Sequence, residues 1–310
     1  MEQRGYHKDK RHSTDGRIYD MRFSGSYVAL VTPFHADGNV NFEKLRELVE
    51  WHVQQGTDGI VALGTTGESS TMSHEEDDAV ARAVIETVNG RIPVICGAGS
   101  NSTQTQLEKS RRYHDMGADG LLLITPYYNK ANDEGMYRHF AAVADTVDTP
   151  IILYNVPGRT GCSISPACCA RLAAHPNIAG IKEASGNIGY TAQIAKLVSD
   201  DFCMFSGNDD MIVPIMSLGG CGVISVWANI CPKEVHALTS AFASGDIAKA
   251  REIQLKYLEL IGALFCEVNP IPVKEAMNQM GMEVGGYRLP LCEISSEGRE
   301  RVRHALEVLR

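Results

Sequence analysis

The chain has 310 residues, 44% hydrophobic and 22% charged, with 29 Gly and 12 Pro; these values exclude collagen-like, low-complexity and mainly disordered chains. Its 29 basic and 38 acidic side chains leave a formal charge of -9, which argues against broad nucleic-acid or anionic-membrane binding, since both favour basic faces. A chain this long buries most of its unfolded surface and needs neither disulfides nor metal to hold it together.

Residues 1–21 are polar, basic and aperiodic. They lack the apolar centre of a secretory signal and are expected to be disordered. The sequence leaves open whether Met21 starts the native chain or the first twenty residues are a leader. No apolar run approaches the roughly 18 residues of a membrane span. The 9 Cys show no CxxC spacing and include the adjacent pair Cys168-Cys169, which reads as reduced, buried thiols in a cytoplasmic protein.

From Tyr27 onward, short apolar runs alternate with stretches of helical period. The runs are YVALVTPF (27–34), GIVALG (59–64), PVICGAG (93–99), GLLLITPYY (120–128), PIILYNVP (150–157), IAGIKEA (178–184), FCMFSGN (202–208) and GVISVW (222–227). They are continuous rather than alternating, as expected of parallel strands covered on both faces. Between the first two, Phe42, Leu45, Val49 and Val53 fall on one helical face. After the second, Ser73 and Glu76 form a capping box ahead of Val80, Val84 and Val88. Eight β-then-α units of roughly thirty residues predict an α/β chain folded as a (β/α)8 TIM barrel over residues 22–245. Residues 246–310 carry no further strand pattern; AKAREIQLKYLELIGALF, PVKEAMNQM and EGRERVRHALEVL predict three more helices, a C-terminal helical domain.

In such barrels the chemistry sits at the C-terminal ends of the strands. There Lys182 lies within an apolar run. Desolvation lowers a lysine pKa from its reference of about 10.4 and frees the amine to attack a ketone. The other reading is a lysine neutralised by a buried carboxylate such as Glu183, and the sequence leaves both open. Tyr154, Tyr128 and Thr65 are candidates for shuttling the protons of Schiff-base chemistry, though each alone is equally consistent with packing. Arg159, in PGRTG, is either a bidentate carboxylate clamp or a solvated loop arginine. Thr65-Thr66 with the Gly67 backbone suits a second carboxylate through neutral donors. No metal-ligand spacing is present: His74 opens no HExxH motif, and the acidic run after it is the first turn of a helix. Gly219-Gly220 reads as a tight turn rather than a phosphate contact.

Together GTTGES (64–69), TPYYN (125–129), YNVPGRTG (154–161), GIKEASG (180–186) and NPIPVK (269–274) resemble the dihydrodipicolinate synthase / N-acetylneuraminate lyase family, in order from about Phe23 to the C-terminus. The resemblance implies a (β/α)8 barrel with a C-terminal helical domain, usually a homotetramer built as a dimer of dimers. It implies no metal or organic cofactor, only pyruvate held covalently as a Schiff base on Lys182. It makes Tyr154 the phenol that assists imine formation, with Thr65 and the neighbouring subunit's Tyr128 in the proton relay. Thr66 would lie near the pyruvate carboxylate, with Gly207 and the Ile224 backbone lining that pocket. Arg159 would hold the carboxylate of a second substrate, aspartate-β-semialdehyde. The implied reaction is the aldol condensation that commits carbon to diaminopimelate and lysine.

Thr65-Thr66 and Arg159 favour this synthase branch over the alternatives within the family, N-acetylneuraminate lyase and the sugar-acid aldolases. A ligand-binding barrel without catalysis is the alternative from another class. His74, Asn101 and Tyr127 match the effector site of lysine-inhibited relatives, but Asp77 and Thr105 replace a histidine and a glutamate there, so weak or no inhibition by lysine is expected.

Overall fold

The computed structural model describes residues 23–309 and, before them, only the backbone of a short antiparallel pairing of Arg11–His12 with Ile18–Tyr19. Otherwise the disorder expected of residues 1–21 lies outside the described residues. Among the described residues eight parallel strands close a barrel: β1 (Gly25–Ala29), β2 (Gly59–Ala62), β3 (Val94–Gly97), β4 (Gly120–Ile124), β5 (Ile151–Asn155), β6 (Ile178–Glu183), β7 (Cys203–Ser206) and β8 (Gly222–Ser225). Each pairs with its sequence neighbours, and β8 closes on β1 with Ile224 opposite Tyr27. Seven of the eight expected runs contain one of these strands whole, and the first overlaps its strand. The first strand starts and ends earlier than its run, because beyond Ala29 the Asn229 side chain takes over the ladder: its Oδ1 accepts from Val31 N at 3.1 Å and its Nδ2 donates to Ala29 O at 2.8 Å.

The strands are buried on both faces, which is why their sequences run apolar without alternation. One set of residues faces inward and fills the barrel, with Tyr27, Val61, Ile95, Leu122, Ile152, Tyr154, Phe205 and Ile224 in one cluster. The other set, including Val28, Ile60, Leu121, Leu153 and Ile181, packs under the helices. Among those helices are α1 (Phe42–Gln54), α2 (His74–Val88), α3 (Thr103–Asp115) and α4 (Asp133–Ala144). The capping box is present, with Glu76 N donating to Ser73 Oγ and Ser73 N to the Glu76 carboxylate. On α1 the buried stripe is Leu45, Leu48, Val49 and His52, rotated from the expected face so that Phe42 and Val53 are only half-buried.

After β5 the chain makes a one-turn helix, α5 (Pro157–Thr160), and then α6 (Pro166–Ala173); α7 (Ile188–Ile194), α8 (Ile212–Ser217) and α9 (Pro232–Ala243) complete the outer ring. Gly219, at φ +94°, ends α8 in the tight turn expected of it. Beyond the barrel come α10 (Ile247–Lys256), α11 (Leu258–Ala263), α12 (Ile271–Gln279) and α13 (Ser296–Ala305). The first of the three expected C-terminal helices is thus two. Tyr257 leaves helical geometry between α10 and α11 (φ -97°, ψ 4°), and its ring packs 5.1 Å from the buried Trp227. Of the nine cysteines, only Cys162, Cys266 and Cys292 are not fully buried. Among the described residues no helix is long and apolar enough to cross a membrane, and no group of three His, Cys, Asp or Glu could hold a metal ion.

Candidate active site

Strand register decides which side chains enter the barrel. Lys182 on β6 lies opposite Tyr154 on β5 and Phe205 on β7. Both of those neighbours belong to the inner cluster, so Lys182 points inward too. Glu183, one residue on, faces outward by the two-residue period of a strand. There its carboxylate accepts from Asn155 Nδ2 at 2.8 Å and Ser185 N at 2.7 Å. Glu183 is therefore not the counter-ion of Lys182; the buried carboxylate whose charge reaches the lysine is Asp209.

Lys182 is only 6% exposed, with its Nζ 4.5 Å from the centroid of the Tyr154 ring. Burial, helped by the nearby Arg159 charge and opposed by Asp209, lowers its pKa from 10.5 to about 8. Burial raises the Tyr154 phenol, while Arg159 and a hydrogen bond with Thr65 pull the other way. An amine brought close to neutrality beside a buried phenol and a hydroxyl can add to a carbonyl and pass protons to its oxygen.

The strand-end loops supply the rest. Thr65–Gly67 forms a single 3-10 turn after β2, closed by Glu68 in the left-handed region (φ 55°) and tied to the segment after β1 by the Thr32 hydroxyl, which donates to Gly67 O at 2.7 Å. This turn buries Thr66 at 3% exposure while Thr65 stays half-exposed at the mouth. Arg159 sits on α5, which begins at Pro157 and ends at Gly161 in the left-handed region. Gly207 lies against the lysine: a Cβ there would meet Ala184 Cβ at 2.6 Å and Lys182 Cε at 3.1 Å.

A small cavity of about 80 Å³ is lined by Lys182, Tyr154, Thr65, Thr66, Arg159, Gly207 and Asn269, among others. Through Thr65, Tyr154 and Arg159 it shares walls with a wider one of about 430 Å³ that continues past His74, Asp77, Thr105, Lys109 and Tyr127. Ile224 stays in the inner cluster and does not line the small cavity; Val226 does instead. Tyr128 is not brought to Lys182 within the chain. It is 92% exposed at φ 70°, projecting from the loop after β4. Asn101 lies beside Tyr127, its Nδ2 donating to Tyr127 O at 3.2 Å.

Several residues at the site had no role from the sequence. Asp209 is buried at the end of β7, accepting from Val226 N at 3.0 Å and Trp227 N at 2.9 Å, and its charge acts on Lys182. Its place directly after the strand-end Asn208 was the available signal. Lys109 forms a buried ion pair with Asp77 at 2.7 Å. Lys274 reaches back from α12 to pair with Glu68 at 2.8 Å, with both side chains sealed from solvent. These pairs join segments far apart in the chain, and no local spacing announces them.

A model of the dihydrodipicolinate synthetase family matches residues 22–309. The chain is 53% identical, over 92% of its own length and 96% of the relative's, to a 4-hydroxy-tetrahydrodipicolinate synthase of Thermoanaerobacter sp. (strain X514). A crystal structure of a dihydrodipicolinate synthase superposes with a TM-score of 0.89 at 46% identity, covering 93% of this chain and 99% of the other. The chloride-inhibited dihydrodipicolinate synthase from Acinetobacter baumannii, complexed with pyruvate, does so with a TM-score of 0.90 at 45% identity, covering 92% and 98%.

Proposed function

The chain belongs to the dihydrodipicolinate synthetase family and shares the 4-hydroxy-tetrahydrodipicolinate synthase activity of relatives about half identical to it; we propose that it condenses pyruvate with aspartate-β-semialdehyde through a Schiff base on Lys182. The observation that carries this reading is a buried lysine with its pKa lowered to about 8, lying against the Tyr154 ring in a small cavity with Thr66 and Arg159 on its wall.

The neutral Lys182 amine adds to the pyruvate ketone, whose carboxylate is held by Thr66. Loss of water from the carbinolamine gives the imine, with Tyr154 and Thr65 passing the protons. The protonated imine draws electrons from the methyl group, which loses a proton to become an enamine. That carbon attacks the semialdehyde carbonyl while Arg159 holds the second carboxylate. The amine of the condensed substrate then displaces Lys182 from the imine carbon, closing the ring and returning the enzyme. The lysine itself supplies the electron sink, so the chemistry asks for no metal or organic cofactor.

Tyr128 stands outside its own site and fully in solvent, which supports its entry into the proton relay of a partner copy, within a dimer that pairs again as a tetramer. Nine cysteines, six of them buried, fit a reducing, cytoplasmic setting. The wider cavity carries His74 and Tyr127 beside the Lys109–Asp77 pair, with Asn101 bonded to the Tyr127 carbonyl. An ammonium belonging to the chain already neutralises Asp77 there, which supports a site that free lysine does not regulate.

The test is pyruvate consumption with and without aspartate-β-semialdehyde, beside borohydride trapping with pyruvate alone. The reading expects semialdehyde-dependent consumption and one reduced pyruvate on Lys182, both absent from Lys182→Ala. Trapping without semialdehyde-dependent consumption would keep the lysine chemistry and reject the acceptor.

A further inference from the structure

The Thr66 hydroxyl and the Arg159 guanidinium, far apart in the chain but both on the wall of the small cavity, share one buried partner. Asn269, in the segment between α11 and α12, donates from Nδ2 to Thr66 Oγ1 at 2.9 Å, and its main-chain carbonyl accepts from Arg159 Nη2 at 3.2 Å. The side chain is 6% exposed and lines the same small cavity as Lys182. Its Oδ1 is buried without a hydrogen-bond partner.

We propose that Asn269 is a positioning residue for both substrate carboxylates, orienting Thr66 as a hydrogen-bond donor and Arg159 as a fixed clamp. This rests on the reading of Thr66 and Arg159 given above. A threonine hydroxyl has one proton and two lone pairs, and an amide nitrogen can only donate. With Asn269 Nδ2 donating into Thr66 Oγ1, the hydroxyl proton is left for another acceptor. An ionised carboxylate can only accept, so this is the polarity its recognition requires. On the Arg159 side, a carbonyl on one guanidinium nitrogen restrains a side chain that is otherwise exposed, leaving its remaining donors for a ligand.

The segment that carries Asn269 is itself held firmly. Lys274 Nζ donates to Glu68 Oε1 at 2.8 Å and to Thr32 O at 3.1 Å, and the Tyr287 hydroxyl donates to Ile271 O at 3.0 Å. Residues 269 and 274 thus grip residues 66 and 68 of the same strand-end turn. A neutral amide also places no charge beside two anionic substrates.

The test compares Asn269→Ala and the near-isosteric Asn269→Asp with wild type, reading KM for each substrate, kcat, and the pyruvate concentration that half-saturates borohydride trapping. Removing the side-chain amide is expected to raise the pyruvate KM on the order of tenfold, and the semialdehyde KM less, because the main-chain carbonyl that holds Arg159 stays. Asn269→Asp replaces a donor with an acceptor, claims the Thr66 proton and adds a like charge, so a rise on the order of a hundredfold is expected. Half-saturation of trapping should rise in step with the pyruvate KM. Unchanged KM values in both variants overturn the proposal, and so does an equal fall in kcat for Ala and Asp with KM unchanged, which marks a merely structural role. Should Asn269→Asp fail to fold, the Asn269→Ala values decide alone. Thr66→Val and Arg159→Lys serve as controls. If they raise KM and the Asn269 variants do not, only this inference falls; if they leave KM unchanged, the carboxylate reading beneath it falls as well.

Discussion

Replacing Lys182 with methionine should make the protein more stable at neutral pH. The ammonium is buried in the barrel, and burial lowers its pKa from 10.5 to about 8. At about 1.4 kcal/mol per tenfold change in proton affinity, holding the charged form at pH 7 costs roughly 3 kcal/mol. The Tyr154 ring, 4.5 Å from Nζ, returns about 1 kcal/mol through its negative face. Lys182→Met keeps a stem of similar length without the charge, so a net gain of about 2 kcal/mol is expected, which is a melting temperature higher by roughly 4 °C. The sign with pH follows from linkage. Between pH 8 and 10.5 the unfolded chain binds a proton at this lysine that the folded chain does not, so wild-type stability rises with pH across that window. The penalty is fully present below about pH 8 and fades toward pH 10.5. The advantage of the variant should therefore shrink by about half at pH 9.5. Thermal unfolding of both proteins at pH 7 and pH 9.5 measures it. A variant no more stable than wild type at pH 7, or an advantage that does not shrink with pH, refutes the claim that burial depresses this lysine.

Gly207→Ala would drive a methyl group into Ala184 Cβ and Lys182 Cε, displacing the amine; the rate of pyruvate trapping by borohydride should fall on the order of a hundredfold. Lys274→Ala leaves the Glu68 carboxylate buried and unpaired, at a cost of about 3–5 kcal/mol, and adding Glu68→Gln should recover part of the lost melting temperature. In initial-rate assays free lysine is expected to leave the rate unchanged through millimolar concentrations, because Lys109 already holds Asp77; strong inhibition would overturn that reading.

The barrel was legible because strands packed on both faces have to be apolar throughout, and eight such runs leave few other folds. Lys182 stood out for the same reason, as a charged residue inside one of those runs. The orientation of Glu183 was within reach of the two-residue strand period, and the register with Asn155 settles it outward. The turn at Tyr257 was less accessible, since its cause is a packing partner thirty residues earlier, Trp227. The hidden part of the site consists of pairings between distant segments: Asn269 with Thr66, Lys274 with Glu68, Lys109 with Asp77. Each of these polar residues looks locally like an ordinary loop or helix residue. Only burial reveals that it must have a partner.

The grip of residues 269 and 274 on the turn after β2 has a consequence for the order in which the protein comes into being. Synthesis runs from the N-terminus, so every strand of the barrel leaves the ribosome before Asn269 does. A nascent chain that has emerged as far as Ser225 already contains Lys182, Tyr154 and both threonines, yet Glu68 still lacks its cation and Thr66 its amide. On the proposed mechanism, competence for two-substrate chemistry then arrives late, with the closing stretch of translation, and a prematurely terminated chain would carry Lys182 without the contacts proposed to seat its substrates.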